Sequence, residues 1–302
     1  MRHIPVLIKE VIEGLKLKSG DRIVDCTLGD AGHSEEILKI IGPKGRLLGI
    51  DADPEAVLRA KQYLYDFGDQ VVYERDNFTN LKKILTANKF APVNGILADL
   101  GWSTPQFSER GRGFSFETDE PLDMRYGGEL AQGETAANIL KNCSEDELAK
   151  IFKDFGEEKF AREIATAIVN ARDTQPIERT TQLTEIVLQV YRAKLHSDKE
   201  IPWVGGTHPA TQIFQALRIA VNHELDVVKQ FLPQVMEALA SGGRLAVITF
   251  HSLEDRIVKQ YFQKINNKTA RMVNKKPITA TEEELKNNPR ARSAKLRIIE
   301  KI

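Results

Sequence analysis

Residues 22–34 read RIVDCTLGDAGHS, and this stretch decides the fold. Its first five residues form a short apolar run that is typical of a buried strand. The residues after Cys26 are small and rich in glycine, which is typical of a tight turn, and helical periodicity follows over 34–41. A strand, a turn and a helix in this order predict the first half of a βαβ unit.

The same alternation continues up to residue 99 and then stops. Residues 104–222 contain almost no β-type runs, and strand and helix patterns resume only after residue 223. The predicted strands are 22–26, 46–50, 70–74, 93–98, 244–250 and 295–299, and the helices between them are 34–41, 54–65, 78–85, 225–239 and 252–264. This order predicts an α/β fold with a parallel sheet, in which residues 1–103 and 223–302 form the core and residues 104–222 form a helical insertion.

Several further signals refine this pattern. Gly242-Gly243 is expected to end the helix at 225–239, and two capping boxes are expected to open helices, at Ser144-x-x-Glu147 and at Ser252-x-x-Asp255.

Charge is balanced over the whole chain but uneven along it. With 43 basic and 43 acidic residues, the formal net charge of the 302 residues is zero and gives no general case for nucleic-acid binding. Residues 264–302, however, carry a net charge of +7, against −7 on the rest of the chain. A basic tail of this kind can contact an anionic partner, although it is also compatible with a solvated, mobile segment.

Other classes of protein are disfavoured by composition. Cys26 and Cys143 form neither a disulfide framework nor a C-x-x-C pair, and the six histidines lack metal-ligand spacing. The N-terminus has no signal-peptide pattern, and no apolar run approaches the ~20 residues that would span a bilayer. We expect a soluble, cytoplasmic protein without a metal site.

Acidic residues follow the predicted strands at Asp51, Asp76 and Asp99. In open α/β sheets ligands bind beyond the carboxyl ends of the strands, and Asp51, 22 residues after Gly29, can accept hydrogen bonds from both hydroxyls of a ribose. NAD enzymes and methyltransferases share this arrangement. The turn at Gly29 departs from G-x-G-x-x-G, so an NAD oxidoreductase is the weaker interpretation.

A set of short motifs is shared with one family. They are HIPVL at 3–7, GDAGHS at 29–34, DLGWSTPQ at 99–106, ERGRGFSF at 109–116, PLDMR at 121–125, GEE at 156–158, HPAT at 208–211, FQALR at 214–218, FHSLEDR at 250–256 and NPRARS at 288–293. By these motifs the chain resembles the small-subunit ribosomal RNA N4-cytidine methyltransferases known as RsmH or MraW. The resemblance implies a Rossmann-like SAM-dependent methyltransferase sheet whose helical insertion recognises substrate. It implies S-adenosylmethionine as methyl donor and N4 of a cytidine in the decoding region as acceptor.

Carried over by position, the resemblance also implies a set of cofactor contacts: Ala31, Gly32, His33, Asp51, Phe78, Asp99 and Gln106. The sequence departs from the family pattern at Ala31, where glycine is usual and alanine would strain a backbone with positive φ. It departs again at Trp102-Ser103-Thr104, where Val-Ser-Ser is usual.

Asp99 is the candidate catalytic residue. A cytosine N4 is a poor nucleophile, and an acceptor for its amino protons, either Asp99 or the carbonyls of Leu100 and Gly101, would assist it. An equally weighted alternative is that Asp99 contacts only the cofactor. The candidate substrate-binding residues come from strand ends, a glycine- and aromatic-containing loop and the basic tail; they are Trp102, Ser103, Arg110, Phe114, His251, Glu254, Arg290 and Arg292.

The expected partner is small-subunit ribosomal RNA in the assembled subunit, with no membrane, and a homodimer is left open. The competing interpretations are an amine methyltransferase that acts on DNA or protein, and a non-catalytic RNA-binding protein that retains the fold.

Overall fold

The computed structural model describes residues 4–100, 111–126, 133–196 and 208–302. The chain divides into two units. One contains Met1–Ser103 together with Leu225–Ile302, and the other contains Thr104–Glu224. The role in substrate recognition that the resemblance implies for the insertion stays a prediction.

The first unit is built on a seven-stranded sheet. Its strands are β1 (Arg22–Asp25), β2 (Arg46–Asp51), β3 (Val71–Arg75), β4 (Val93–Leu100), β5 (Leu239–Thr249), β6 (Ala270–Met272) and β7 (Lys295–Lys301). Their order across the sheet is β3-β2-β1-β4-β5-β7-β6. Strands β1 to β5 run parallel, whereas β7 pairs antiparallel with β5 and β6 pairs antiparallel with β7. The α/β class and the parallel sheet are as predicted; β6, with three residues, is too short to be detected from hydrophobic pattern.

The helices are α1 (Ile8–Leu15), α2 (Gly32–Ile41), α3 (Pro54–Tyr63), α4 (Leu81–Ala87), α5 (Ala136–Asn142), α6 (Glu145–Gly156), α7 (Ala161–Arg172), α8 (Thr180–Leu195), α9 (Ala210–Asn222), α10 (Glu224–Ala238), α11 (Ser252–Ile265) and α12 (Glu282–Asn287). Short 3₁₀ helices span Tyr65–Gln70, Phe78–Asn80 and Pro289–Ser293. The first of these replaces the end of the helix predicted at 54–65, and the second replaces the start of the one predicted at 78–85.

Both faces of the sheet are buried. Adjacent strand residues point to opposite faces, so Ile23 and Leu47 join one apolar cluster while Val24 and Leu48 join another. All four side chains are fully buried. This two-sided burial explains why these strands appear in the sequence as continuous apolar runs.

The helix boundary predicted at Gly242-Gly243 is wrong. Strand β5 begins at Leu239, directly after α10, and the two glycines lie inside its first half, where the register with β4 shifts. A Cβ added at Gly243 would lie 2.9 Å from the carbonyl oxygen of Ala240 and 3.0 Å from that of Asn94. The glycine therefore permits close backbone approach at a strand irregularity and does not end a helix.

The second unit contains the helices α5 to α9 and no strand among its described residues. The capping box predicted at Ser144 is confirmed, because Ser144 Oγ accepts from the Glu147 backbone and Glu147 Oε2 accepts from the Ser144 backbone. Glu157 ends α6 in a left-handed conformation, and the next helix, α7, begins at Ala161. A buried bidentate ion pair joins Arg218 to Glu224, with Nε–Oε1 at 2.6 Å and Nη2–Oε2 at 2.9 Å.

Among the described helices, none has both the length and the apolar composition that crossing a bilayer requires.

Candidate active site

Three carboxylates lie at the carboxyl edge of the sheet. Asp25 ends β1, Asp51 ends β2 and Asp99 is the penultimate residue of β4. Strand β1 pairs with both β2 and β4, so the three acids sit on neighbouring strands. The strand order reverses between β1 and β4, and ligands of open α/β sheets bind at such a switch point. This edge is the candidate active site.

The turn after β1 carries two residues with left-handed backbone. Gly29 has φ 50° and Ala31, which precedes α2, has φ 57°. The positive φ anticipated at Ala31 is confirmed, and at this position the chain has a methyl side chain where glycine would be unstrained. The next residue, Gly32, faces Pro5; a Cβ added at Gly32 would lie 3.1 Å from the Pro5 ring. The Pro5 ring of the N-terminal segment therefore packs closely against this turn.

Asp51 is oriented by two backbone donors. Its Oδ2 accepts from the Gly29 backbone at 2.8 Å, and its Oδ1 accepts from the Asp53 backbone at 2.9 Å. Burial raises the pKa of Asp51 to about 6, against the opposing effect of these two hydrogen bonds. A carboxylate offers about four acceptor positions, so each oxygen retains capacity for a further donor such as a sugar hydroxyl.

Asp99 is buried and only partly satisfied. Its backbone N–H donates to Thr27 Oγ1 at 2.8 Å, and its Oδ2 lies 3.8 Å from His33 Nδ1. Its Oδ1 is buried and has no hydrogen-bond partner among the described residues. Burial raises the pKa of Asp99 to about 6; His33 opposes this shift, and the charges of Asp25 and Glu254 add to it. A buried acceptor without a partner is rare in proteins and points to a donor supplied by a ligand.

Asp25 is a site residue that sequence reasoning missed. Its side chain is buried, its Oδ2 accepts from Ser34 Oγ at 2.7 Å, and its Oδ1 accepts from the Thr27 backbone at 3.1 Å. Burial raises its pKa, against the effect of the Ser34 hydrogen bond. Asp25 thus ties the end of β1 to the first turn of α2. The available signal was an acidic residue ending an otherwise apolar strand.

His33 lies in the first turn of α2 with 7% of its surface exposed. Its Nε2 is 2.9 Å from the carbonyl oxygen of Val6. Because a carbonyl oxygen can only accept, Nε2 carries the hydrogen, and in the neutral ring Nδ1 is left with a lone pair. That lone pair is on the nitrogen nearest Asp99.

His251 and Glu254 form the start of α11. Nδ1 of His251 accepts from the Glu254 backbone at 3.4 Å, so His251 caps the helix, and the capping role predicted for Ser252 is wrong. Glu254 Oε2 accepts from the Phe250 backbone at 3.0 Å, and Oε1 lies 3.2 Å from His251 Nε2. With 4% of its surface exposed, Glu254 serves the helix terminus and adds negative charge near Asp99. Substrate contacts by these two residues stay predictions.

The remaining candidates fall into different surroundings. Phe78 is half-buried, and its ring meets Phe231 edge-on at 4.9 Å. Phe114 is 3% exposed and stacks on Tyr126 with the ring centroids 5.8 Å apart, and its contact with substrate stays a prediction. The candidates Trp102, Ser103, Gln106 and Arg110 lie outside the described residues.

Arg290 and Arg292 are exposed on the 3₁₀ helix at Pro289–Ser293. Other arginines of the basic tail are engaged within the protein, since Arg271 pairs with Glu300 and Arg297 pairs with Asp255. Within the described part of the chain, no ion pair involves Arg290 or Arg292. Both guanidinium groups are therefore available to an anionic partner.

The sheet order and the acids at its switch point define a Rossmann-like α/β protein of the type that binds nucleoside-containing ligands. A model of the MraW methylase family matches residues 1–302. The chain belongs to the MraW methylase family, and the Rossmann-like methyltransferase fold predicted from its sequence is confirmed.

Two bacterial relatives cover almost the whole chain. One, from Dehalococcoides mccartyi, is 45% identical over 316 residues, which cover 99% of this chain and 86% of that protein. The other, from Heliobacterium modesticaldum, is 42% identical over 317 residues, which cover 99% and 98% respectively. Both are named Ribosomal RNA small subunit methyltransferase H.

The burial of Asp99 predicts that this carboxylate lowers stability. A carboxyl whose pKa is raised by folding favours the folded state only when protonated, so stability falls as pH rises from about 4 through about 6. We expect Asp99→Asn to increase the free energy of unfolding by about 1–3 kcal/mol at pH 8, with no gain near pH 4. Urea unfolding of the full chain at both pH values measures this difference.

The matched control is Asp66→Asn, which changes an exposed aspartate in the 3₁₀ helix at Tyr65–Gln70. Its effect should stay within about 0.5 kcal/mol at both pH values. An Asp99→Asn variant that is less stable than wild type at pH 8 would contradict the desolvation argument.

Proposed function

We propose that this chain transfers the methyl group of S-adenosylmethionine to N4 of a cytidine in the decoding region of small-subunit ribosomal RNA. The observation that carries the proposal is the buried Asp99 Oδ1, an acceptor without a protein partner at the switch point of a methylase-family sheet. The names of the relatives support small-subunit ribosomal RNA as the substrate. A cytoplasmic location follows from that substrate and is part of the proposal.

The donor fits the residues at the edge of the sheet. Asp51, held by two backbone N–H groups, has acceptor capacity left for the two ribose hydroxyls. The turn at Ala31 and Gly32 brings backbone close to the same edge, and Phe78 lies on the segment that follows β3. Gln106, in the proposed set of contacts, lies outside the described residues.

The charge of the site favours a cation. Asp25 adds negative charge near both Asp51 and Asp99, and Glu254 adds negative charge near Asp99. When bound, the donor supplies a methyl group made electrophilic by a positively charged sulfur. Its positive charge would partly offset the repulsion among the acids, whereas the neutral thioether product would not. Because the neutral product lacks this attraction to the acids, its release from the site is favoured.

Asp99 is proposed to act on the acceptor amine. The N4 lone pair of cytosine is delocalised into the ring, and a hydrogen bond from N4–H to Asp99 Oδ1 increases its availability to the methyl carbon. The new N–C bond forms as the sulfur takes the electron pair of the S–C bond, and the excess proton on N4 passes to the Asp99 carboxylate. Burial makes Asp99 a stronger proton acceptor than an ordinary aspartate by raising its pKa to about 6.

A cytidine that is stacked in folded RNA must be extruded before its N4 can reach the methyl group. The exposed Arg290 and Arg292 are proposed to bind phosphates of that RNA.

The decisive test is transfer of labelled methyl groups by the purified full chain to small subunits, free ribosomal RNA, DNA and protein. We expect label in small subunits from a strain that lacks the corresponding gene, and mass spectrometry of the nucleosides should identify N4-methylcytidine. If label appears only in DNA or only in protein, that molecule is the substrate and the proposed ribosomal RNA substrate is wrong. Absence of transfer to all four would refute the proposed activity.

Asp51 generates a prediction about donor binding. Asp51→Ala removes the acceptors for the ribose hydroxyls, and we expect the binding free energy of S-adenosylmethionine to weaken by about 1.5–3 kcal/mol. Isothermal titration calorimetry measures this binding free energy, and Asp66→Ala, at an exposed position, is the control. Equal affinity of Asp51→Ala and wild type would exclude the ribose contact.

The basic tail generates a prediction about RNA binding. Neutralising Arg290 and Arg292 together should reduce the slope of log affinity against log salt concentration by about 2, because each phosphate contact contributes about 1. Fluorescence anisotropy with a labelled fragment of small-subunit RNA measures the slope. Lys82→Ala with Lys83→Ala, on exposed positions of α4, is the matched control and should leave the slope unchanged.

A further inference from the structure

Two of the shared motifs lie at opposite ends of the chain, and the structure brings them together. Asn288 Nδ2 donates to the carbonyl oxygen of Ile4 at 3.1 Å, and the Leu7 backbone donates to Glu284 Oε1 at 2.7 Å. The N-terminal segment 4–7 is therefore held at both of its ends by α12 and the residue that follows it. We call this pairing of segments 4–7 and 284–288 the terminal clasp.

The terminal clasp is closed by apolar packing. Val6 and Leu7 are buried, and they share an apolar cluster with Ala31, Ala291 and Ala294. The clasp thus lies against the first turn of α2, where Pro5 also faces Gly32. A backbone segment with so many fixed neighbours holds its carbonyl groups in defined directions.

The Val6 carbonyl group lies between the fixed Ile4 and Leu7 ends of this segment, and its oxygen accepts from His33 Nε2 at 2.9 Å. This bond selects the Nε2–H form of the neutral imidazole. It also sets the ring orientation, which leaves the Nδ1 lone pair 3.8 Å from Asp99 Oδ2. Hydrogen bonds between catalytic groups are often long before the substrate is bound and shorten in the complex. The 3.8 Å separation of His33 Nδ1 and Asp99 Oδ2 is therefore compatible with proton transfer in the complex.

We propose that His33 is the second proton acceptor of the reaction, which takes the proton from Asp99 after methyl transfer, and that the terminal clasp positions it. The inference rests on the proposed role of Asp99. In this step the Asp99 carboxyl group rotates and carries its proton from the substrate side to the side of His33, the Asp99 O–H bond breaks, an Nδ1–H bond forms on His33, and Asp99 returns to the carboxylate. The imidazolium then loses the proton to water when the product leaves.

Negatively charged groups lie near His33. Asp99 Oδ2 lies 3.8 Å from Nδ1 of the ring, and the carboxyl groups of Asp25 and Asp99 each interact electrostatically with His33. Glu254 adds a further negative charge next to Asp99. The clasp contributes the neutral Val6 carbonyl group at the ring.

The test is single-turnover methylation by His33→Ala with small subunits as substrate. We expect the rate to fall on the order of 10²-fold, the lower end of what a positioned acid or base contributes. Added imidazole should restore activity in proportion to its unprotonated fraction. Pyrazole, which has the same ring size and is only weakly basic, should not. Equal rescue by the two rings would assign His33 a space-filling role and overturn the inference.

His33→Gln is the second variant, because its side-chain amide can still donate to the Val6 carbonyl but cannot accept a proton. With the donor at a concentration that calorimetry shows to saturate the variant, it should lose single-turnover rate to a similar extent. A rate close to that of wild type would overturn the inference even if His33→Ala does not fold. Failure of the wild-type protein to transfer methyl groups would instead refute the proposed function, so the two failures are distinguishable.

Discussion

The structure depends on carboxylates held out of water at the carboxyl edge of one sheet. Asp25, Asp51 and Asp99 lie at the ends of neighbouring strands in which most other residues are buried, and burial raises the pKa of all three. An isolated charge in such surroundings is costly, and each acid is supported differently. Asp25 has the Ser34 hydroxyl and Asp51 has two backbone donors, whereas Asp99 retains an oxygen without a partner among the described residues. The least satisfied acid is also the one proposed to act on the acceptor amine.

The surroundings of these acids come from distant parts of the chain. The turn after β1 supplies Thr27, which binds the Asp99 backbone, and the opposite end of the chain supplies α12, which holds the N-terminal segment over His33. The sheet itself is completed by β5, β6 and β7, which follow the insertion in sequence. The surroundings of the site thus depend on contacts between segments that are far apart along the chain.

Some residues were identified from sequence because their position in the pattern has a direct structural meaning. Asp51 and Asp99 follow apolar runs, and the carboxyl ends of parallel strands lie at one edge. Asp25 was missed because an acid at the end of a predicted strand gives no sign of how deeply it is buried. The cap of α11 was assigned to Ser252 because serine is the commoner capping residue, whereas His251 fills that role with Nδ1. Phe114 was a candidate substrate contact, and its burial against Tyr126 depends on tertiary contacts that a sequence pattern does not reveal.

The sequence by itself determined the α/β class, the parallel strands, the acids at their ends and the family, because each depends on local periodicity or on motifs read in order. Tertiary structure alone decided which acid keeps an unpaired oxygen, which tautomer His33 adopts and how the two chain ends meet. Those properties arise from distances and burial between segments that are remote in sequence, and the energies of hydrogen bonding and desolvation depend on those distances.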